Sequence, residues 1–439
     1  MNKNLKHWAI ETALMVFYFL ILVFAFLPFY LTTYSYMLGN SYKFDVSKFF
    51  VGIIILITSN LTLLNRDGKY NTVYALTLRL FYLLSFVPML ALYSCGDRLS
   101  IGMITEPAIF EILLLLCIRY YSTHDSTKGR LNLRVFPVRN ADLYVLIFCG
   151  IIALVTWALA GFPVVASFSE SYEQRMALRQ NALPTIINYL YSMVGGALLP
   201  YLFTRNLIKK RYFRMIMCLV FGMMLFFVNG MKTWLFLYLF AVAIVFICKR
   251  AKSEFGIFLY IELGIILLTL VTLIVSATTE ILDFISQVGR VIIIPNNIGF
   301  KYIEFFRTNE RLYLRESIFR GLFSTPYAGG SDFYINYGVN ATLTSSRANN
   351  GLYGDAYRNF GMIGIILYPL FIAKVINIIE RNCRYESTAL RYFIMFILVW
   401  GAINTSFFTW LLTGGIIVLY ILLKINRAND EKGLPDIVR

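Results

Sequence analysis

Ten of the cationic residues between the apolar runs are candidates for binding an anion, and nine of these ten are arginine. A guanidinium group presents a planar fork that matches two phosphate oxygens and stays protonated at any working pH. Several arginines that converge can therefore hold a pyrophosphate group without a metal ion. The residues available for this chemistry are Arg175, Arg179, Lys232, Arg290, Arg307, Arg311, Arg315, Arg320, Arg347 and Arg358.

The arginines also have structural interpretations. They can contact lipid head groups, or they can pair with acids of the same segment, as Glu316 with Arg320 four residues later. Arg175 and Arg179 are also four residues apart, so a helical turn would place both on one face. That face would either grip an anion or be a solvated surface with Glu173 as a neighbour.

Three charged residues at or within apolar runs are conspicuous, and one of them, Lys232, is among these ten. Lys232 occurs in NGMKTW, where Gly230 permits a tight turn between two runs. Its ammonium group either binds substrate or extends to the membrane interface. Arg79 and Glu111 lie inside apolar runs, where charges usually pair or line a cavity. We expect these two residues to pair with each other.

The composition requires a membrane. Of 439 residues, 59% are hydrophobic and only 15% are charged, which is too apolar for a soluble chain of this length. Apolar runs of about 16 to 23 residues, the length that crosses a hydrocarbon core, predict an all-α polytopic membrane protein with about twelve transmembrane helices. The runs lie near residues 8–30, 48–64, 73–94, 106–121, 142–160, 185–204, 213–229, 233–248, 255–278, 359–379, 390–408 and 410–424.

The distribution of Lys and Arg predicts the orientation of these helices. If the N-terminus is cytoplasmic, 25 of the 40 Lys and Arg residues fall in cytoplasmic segments, as the positive-inside rule requires. Both termini are then cytoplasmic. Because most of the cations are assigned to the cytoplasmic side of a membrane, the net charge of +16 does not indicate a nucleic-acid partner.

Histidine and cysteine chemistry is not indicated on the outer face. Both histidines, His7 and His124, are cytoplasmic in this topology, so the ordinary bases left outside are carboxylates. The six cysteines show no CxxC spacing, which argues against a zinc site or a disulfide framework. We expect no metal and no other cofactor. The candidate outer bases, among which the sequence does not choose, are Glu173, Glu304, Asp332 and Asp355.

One long segment, residues 279–358, is predicted to form a large outer loop. It holds eight Lys and Arg residues, and long loops are translocated largely regardless of charge. Its apolar stretches Ile281–Ile285 and Ser317–Phe323 predict short helices on the membrane surface. Pro295 and Pro326 interrupt the loop.

The chain shows no internal repeat and no separate soluble region. Residues 1–439 are therefore predicted to form a single integral membrane domain that contains the large loop. Residues 426–439 are predicted to be a short polar tail in the cytoplasm.

Three local motifs carry a resemblance to a known family. They are GRVIIIPNNIGFKYIEFF around Arg290, SRANNGLYGDAYRNFGMIGIILYP ending at Pro369, and NGMKTWLF around Lys232. Together they resemble the bacterial O-antigen and capsule repeat-unit polymerases. The matches cover under a fifth of the chain, and the rest agrees only in the number of spans and the place of the large loop.

The resemblance implies a membrane glycosyltransferase in the bacterial inner membrane. Such an enzyme takes both substrates from undecaprenyl pyrophosphate and moves the growing glycan to the non-reducing end of a new lipid-linked unit. The implied reaction needs no metal and inverts the transferred anomeric centre. A chain-length regulator protein is an implied partner, together with the membrane lipids.

The resemblance also implies roles for particular residues. Arg290 and Asp355 would be catalytic, with Arg290 stabilising the leaving group and Asp355 positioning the acceptor or acting as its base. An aspartate at this place could equally cap the helix that follows. The pyrophosphate would be bound by Arg175, Arg179, Lys232, Arg320 and Arg347. The glycan would be bound by Asn349, Asn350, Tyr353 and Tyr357.

Three other functions are alternatives to the polymerase. An O-antigen ligase shares the architecture, but its family is expected to use an outer histidine. A flippase for the lipid-linked unit is a transporter that would place its cations in a central cavity between two similar halves, whereas these cations fall in one long loop. A membrane acyltransferase would also need an outer histidine.

Overall fold

A computed structural model describes residues 3–63, 72–124, 137–164, 183–278, 288–337 and 351–431. Within these ranges the chain is helical, with two isolated β-bridges and no strand. Ten helices are long and apolar enough to cross a membrane, and two shorter apolar helices, Val46–Leu61 and Thr388–Asn404, complete the set. All twelve coincide with the predicted apolar runs. The prediction of an all-α polytopic membrane protein is confirmed.

The helices have clear bounds. From the N-terminus they are Lys3–Ile21, Leu22–Phe26, Leu27–Leu38, Val46–Leu63, Thr72–Phe81, Tyr82–Phe86, Val87–Cys95, Ile101–Ile104, Thr105–Thr123, Ala141–Leu159, Thr185–Met193, Val194–Leu198 and Leu199–Ile208. They continue with Tyr212–Asn229, Lys232–Arg250, Glu254–Thr278, 288–292, Ile294–Thr308, Ser331–Tyr337, Leu352–Phe360, Met362–Cys383, Thr388–Asn404, Phe407–Leu411 and Ile416–Glu431.

The long helices expose large apolar side chains. Phe213, Ile186 and Leu239 are 77%, 72% and 64% exposed, respectively. Large exposed apolar side chains are unfavourable in water and favourable against lipid chains. The exposed faces therefore fit a protein that crosses the bilayer many times.

Three of the spans contain a π-helical turn that ends two residues before a proline. The turns are Leu22–Phe26, Tyr82–Phe86 and Val194–Leu198, and in each case the second residue after the turn is a proline. A proline lacks an N–H group, and its ring collides with the carbonyl group four residues earlier. A wider turn moves that carbonyl aside, so the helix continues through the proline. These turns were not predicted from the sequence.

The chain forms two compact units, each made of three separate stretches of sequence. The first unit comprises Met1–Ser126, Lys252–Asn377 and Val399–Phe408. The second comprises Thr127–Ala251, Ile378–Leu398 and Thr409–Arg439. No single cut in the chain separates them, although a single domain was predicted for residues 1–439.

Buried charges in the first unit pair differently from the prediction. The Arg79 guanidinium donates to Glu11 and lies 3.4 Å from a Glu262 carboxylate oxygen. Glu111 instead accepts a hydrogen bond of 2.5 Å from the Ser85 hydroxyl. The predicted pair of Arg79 with Glu111 is therefore wrong. The tertiary fold brings two other acids to the guanidinium, as a buried arginine requires.

The second unit has its own buried ion network. Arg205 lies 2.9 Å from a carboxylate oxygen of Asp142, and it also contacts Glu386 and the Tyr201 hydroxyl. Asn426 donates to Asp142 from the last helix. That helix continues to Glu431, so the predicted tail from residue 426 begins as a packed helix. Residues 432–439 lie outside the described ranges.

The hairpin at Lys232 is as predicted. One helix ends at Asn229 and the next begins at Lys232. Gly230 has φ +62°, a left-handed conformation that glycine adopts without strain. The Asn229 side chain accepts a hydrogen bond of 2.6 Å from the Met231 N–H group and closes the turn.

The large loop carries short helices, but not all where they were predicted. Ser317–Phe323 forms turns instead of a helix, and Ile281–Ile285 lies outside the described residues. Pro295 does not interrupt a helix; it occupies the first turn of Ile294–Thr308, where its missing N–H costs nothing. We call Ile294–Thr308 the loop helix and Leu352–Phe360 the short helix.

The loop helix and the short helix pack closely through a glycine. A Cβ atom at Gly299 would lie 2.3 Å from the Tyr353 ring. Gly299→Ala is therefore expected to destabilise the protein by about 1–3 kcal/mol, because the ring or one helix must move. Thermal unfolding of the purified protein in detergent measures the effect. Gly264→Ala is the matched control, since its Cβ would meet no atom within 4 Å, and an equal loss in both variants would contradict the packing argument.

Candidate functional site

The short helix is the centre of the candidate site, in the first unit. Its residues from Leu352 to Asn359 are buried, although Asp355, Arg358 and Asn359 are polar or charged. Buried charges need partners, because an unpaired charge in an apolar interior costs several kcal/mol. The surroundings of the short helix supply these partners from several distant segments.

Asp355 and Arg358 form the buried ion pair of the site. The Arg358 Nε–H donates to Asp355 Oδ1 at 2.9 Å, and the Asn359 amide donates to the same oxygen at 3.2 Å. Asp355 Oδ2 accepts from the Phe407 N–H at 2.8 Å. Burial alone would lower the pKa of Arg358, but the charges of Asp355, Tyr302 and Glu316 raise it. Both carboxylate oxygens of Asp355 are thus engaged.

Glu316 joins this pair to the preceding loop. Its carboxylate lies 3.8 Å from Arg358 Nη1. It also accepts hydrogen bonds from the Ser331 N–H at 2.8 Å, from the Ser331 hydroxyl at 2.6 Å and from the Thr325 hydroxyl at 2.9 Å. The structural alternative that paired Glu316 with Arg320 is therefore not observed, because Arg320 is exposed and Glu316 faces the short helix.

Arg307 is held by a carboxylate from a distant helix. Its guanidinium makes contacts of 2.7 Å and 3.1 Å with the two oxygens of Glu106. The Nη2 group also donates to the Gly102 carbonyl at 3.1 Å, and Arg307 interacts with the Tyr357 side chain. This bidentate geometry is the strong form of an arginine–carboxylate pair. The positive charge of Arg307 is largely compensated.

Arg311 differs from these arginines because it forms no ion pair with a carboxylate in the described part of the chain. Its guanidinium lies 5.8 Å from the centre of the Tyr357 ring. A Cβ atom at Gly361 would lie 2.4 Å from the guanidinium carbon, so the group rests against the backbone that ends the short helix. Gly361, at φ +57°, leaves space for it.

The backbone fixes the position of Arg311. The Leu312 N–H donates to the Arg358 carbonyl, and the Leu314 N–H donates to the Asn359 side chain, both at 2.9 Å. These bonds attach the residues after Arg311 to the end of the short helix. We call Arg307, Arg311, Arg358, Tyr302 and Tyr357 the arginine–tyrosine cluster.

The cluster combines three cations with two buried aromatic rings. Arg358 lies 5.7 Å from the centre of the Tyr302 ring, a cation–π distance. Burial raises the pKa of the Tyr302 hydroxyl, and the nearby Arg358 charge opposes this only in part. Two of the three cations are neutralised by carboxylates. The third, Arg311, retains hydrogen-bonding capacity for an anionic ligand.

The structure places the predicted site residues unevenly. Arg290 is exposed on the helix 288–292, and Arg320 is exposed in the turns that follow the loop helix. Lys232 is half-buried at the start of Lys232–Arg250 in the second unit. The predicted residues that lie outside the described ranges are Arg175, Arg179, Arg347, Asn349 and Asn350.

Two of the predicted ligand contacts need correction. Tyr353 is 2% exposed, and its hydroxyl donates to the Asn296 side chain at 3.0 Å, so it has no free face for a sugar ring. Tyr357 is also buried, beneath Arg311. Asp355 does not cap the helix after its own; its carboxylate caps the helix that begins at Phe407. These positions favour packing and positioning roles.

Arg311 was one of ten candidate cations in the sequence, whereas Glu106 was not among the candidate acids. One signal for Arg311 was available, because no acid lies three or four residues from it on either side. Asp355 and Arg358, three residues apart within a helix, could also have been read as a pair. No such signal existed for Glu106, which is 201 residues from Arg307.

Comparisons of the chain with protein-family models, curated proteins and solved structures find no match. The resemblance to repeat-unit polymerases therefore rests on the local motifs. Within the described residues, no group of three or more His, Cys, Asp or Glu side chains is placed to hold a metal ion.

Proposed function

We propose that the protein joins lipid-linked oligosaccharide units into a surface polysaccharide at the outer face of a bacterial inner membrane. A hydroxyl oxygen at the non-reducing end of the acceptor unit attacks the anomeric carbon of the donor glycan. The bond from that carbon to the pyrophosphate oxygen breaks, and undecaprenyl pyrophosphate leaves with the electron pair. The hydroxyl proton passes to a base.

The observation that carries the proposal is the position of Arg311. The Arg311 guanidinium has no carboxylate partner among the described residues, and it lies against Tyr357 beside charges that are compensated by carboxylates. Such a group is preorganised to stabilise charge that develops on a leaving pyrophosphate. The many apolar helices provide the bilayer setting that a polyprenyl substrate needs.

The roles of the other residues follow from their contacts. Arg358, Asp355 and Glu316 form a buried support that holds the short helix and thereby Arg311. Asp355 is assigned to positioning, because both its oxygens already accept hydrogen bonds. Arg290, exposed and at the matching position of the family motif, is proposed as a second ligand of the leaving group.

Deletion of the gene tests the function. Gel analysis of the surface glycan should then show lipid A core that bears a single repeat unit, because units are still made, transported and ligated. Bare core would instead indicate the loss of a ligase or a flippase. An unaltered ladder would contradict all three functions. Restoring the intact gene should restore the ladder.

Arg290→Ala is expected to abolish polymerisation while protein level and lipid-linked substrate stay normal. Arg290→Lys should restore little, because a point charge loses the bidentate geometry. Gel analysis of the surface glycan measures the chain length that each variant produces. Arg139→Ala is the matched control, since Arg139 is also exposed but lies on the predicted cytoplasmic side. Normal chain lengths from Arg290→Ala would rule out the role of this residue.

A further inference from the structure

Two loops of the first unit are joined to each other by hydrogen bonds. The Lys43 N–H donates to the Cys95 carbonyl at 2.7 Å, and the Asp97 N–H donates to the Ser41 carbonyl at 3.2 Å. The Asp97 carboxylate in turn accepts a hydrogen bond of 2.7 Å from the Ser41 N–H. We call residues 39–45 and 95–99 the paired loops. Their backbone hydrogen bonds fix the position of Arg98, the neighbour of Asp97.

The loop helix is attached to the paired loops by a buried hydrogen bond. The Asn40 amide donates to the Asn297 side chain at 2.5 Å, and both residues are at most 4% exposed. Lys301 follows Asn297 by four residues, so it lies on the same face of the loop helix, one turn further on. The side chain of Lys301 therefore extends toward the paired loops.

Lys301 and Arg98 reach the same point beside Gly39. A Cβ atom at Gly39 would lie 3.4 Å from Lys301 Nζ and 4.0 Å from Arg98 Nη1. Gly39 has φ +64°, a conformation that other residues rarely adopt, and its lack of a side chain leaves this point open. Two cations are thus held around one small space.

Among the described residues, no carboxylate forms an ion pair with either of these two cations. Asp97 is committed to Ser41, and Glu304, one turn from Lys301, is exposed. Burial lowers the pKa of the Lys301 ammonium, the charge of Arg98 lowers it further, and Glu304 opposes both. Lys301 is half-buried and Arg98 is exposed, and like charges brought close together repel each other unless an anion lies between them.

We propose that Arg98 and Lys301 form a binding site for a phosphate or diphosphate group. Its oxygens would lie in the space beside Gly39, where they accept hydrogen bonds from the guanidinium fork and from the ammonium group. All three segments that build this site are predicted to lie on the outer side of the membrane. The site shares no residue with the arginine–tyrosine cluster, and its existence does not depend on the reaction proposed above.

The phosphate group has two possible sources, a free or substrate-borne diphosphate and the head group of an anionic lipid. Calorimetric titration of the purified full-length protein with inorganic diphosphate tests the first. Retention of phosphatidylglycerol by the protein in nanodiscs, measured by native mass spectrometry against phosphatidylcholine, tests the second. Neither measurement requires glycan transfer, so loss of the polymerase proposal would leave this test intact.

Lys301→Met and Arg98→Gln are the informative variants. Each is expected to weaken the observed binding by about tenfold or more, because each removes one of two charge-assisted contacts. Lys43→Met is the matched control: it removes one exposed positive charge from the same paired loops and should change the affinity less than twofold. Folding is monitored by the thermal midpoint. Lys301→Arg, which keeps the charge, should retain binding.

The pH dependence gives an independent readout. The lowered pKa of Lys301 means that its positive charge is lost at a lower pH than that of an ordinary lysine. Affinity should therefore fall as the pH rises from about 7 to 10 in the wild type. The fall should be much smaller in Lys301→Arg, because a guanidinium stays protonated there.

Each result of these measurements either supports or overturns the proposed site. Diphosphate binding that Lys301→Met and Arg98→Gln weaken supports the site with a diphosphate ligand. Lipid retention that depends on the same two residues, without diphosphate binding, supports the site with a lipid head group. If neither kind of binding occurs, or if Lys43→Met weakens it as much as Lys301→Met, the proposal is overturned.

Discussion

Replacing Arg311 by alanine is expected to reduce the polysaccharide ladder to a single repeat unit. Arg311 is the guanidinium of the arginine–tyrosine cluster that has no described carboxylate partner, so it is the one best able to bind a leaving pyrophosphate. Loss of one preorganised electrostatic contact usually lowers a rate by about 10²- to 10³-fold. Chain length on gels and the transfer rate with purified lipid-linked units measure the effect.

Arg139→Ala is the control for Arg311→Ala, because Arg139 is an exposed arginine on the predicted cytoplasmic side, so chain length should be unchanged. Arg315 is not suitable as a control, because its guanidinium donates to the backbone carbonyls of Leu312 and Arg311. Arg311→Lys should keep only a small part of the activity, since an ammonium cannot use both oxygens of a phosphate. Normal ladders from Arg311→Ala would remove the main support for the proposed site.

Asp355→Ala is expected to destabilise the protein strongly, by about 3–5 kcal/mol. The substitution leaves the buried Arg358 without its closest carboxylate and leaves the Phe407 N–H without its acceptor. The expected result is a much lower thermal midpoint in detergent and little protein in the membrane. The double variant Asp355→Ala with Arg358→Met should be less unstable than the sum of the single effects, because it no longer buries an unpaired guanidinium.

Asp355→Asn distinguishes the positioning role of this residue from a catalytic one. An asparagine side chain can still accept the hydrogen bond from Phe407, but it cannot neutralise Arg358. A positioning residue predicts a loss of stability, with activity that follows the amount of folded protein. A catalytic base predicts a stable protein without activity. A normal thermal midpoint together with absent polymer would therefore contradict the positioning role.

Some features of the site could be foreseen in part. The arginine-rich loop is evident from residue types, and the hairpin at Gly230 followed from the need for a left-handed residue in a tight turn. The motif that contains Asp355 marked it as a candidate site residue. The motif did not indicate that Asp355 accepts a hydrogen bond from the Phe407 N–H group. The acceptor of the Phe407 N–H lies 52 residues away in the chain, a distance that sequence patterns do not relate.

For the whole protein, too, some features follow from the sequence and others only from the tertiary structure. The sequence by itself determined the helical membrane architecture, because bilayer thickness imposes a run length and backbone polar groups in lipid must bond within each segment. Only the tertiary structure decided which charges meet: Arg79 with Glu11 and Glu262, and Arg307 with Glu106. Such pairs depend on the packing of distant helices, and no local periodicity records that packing.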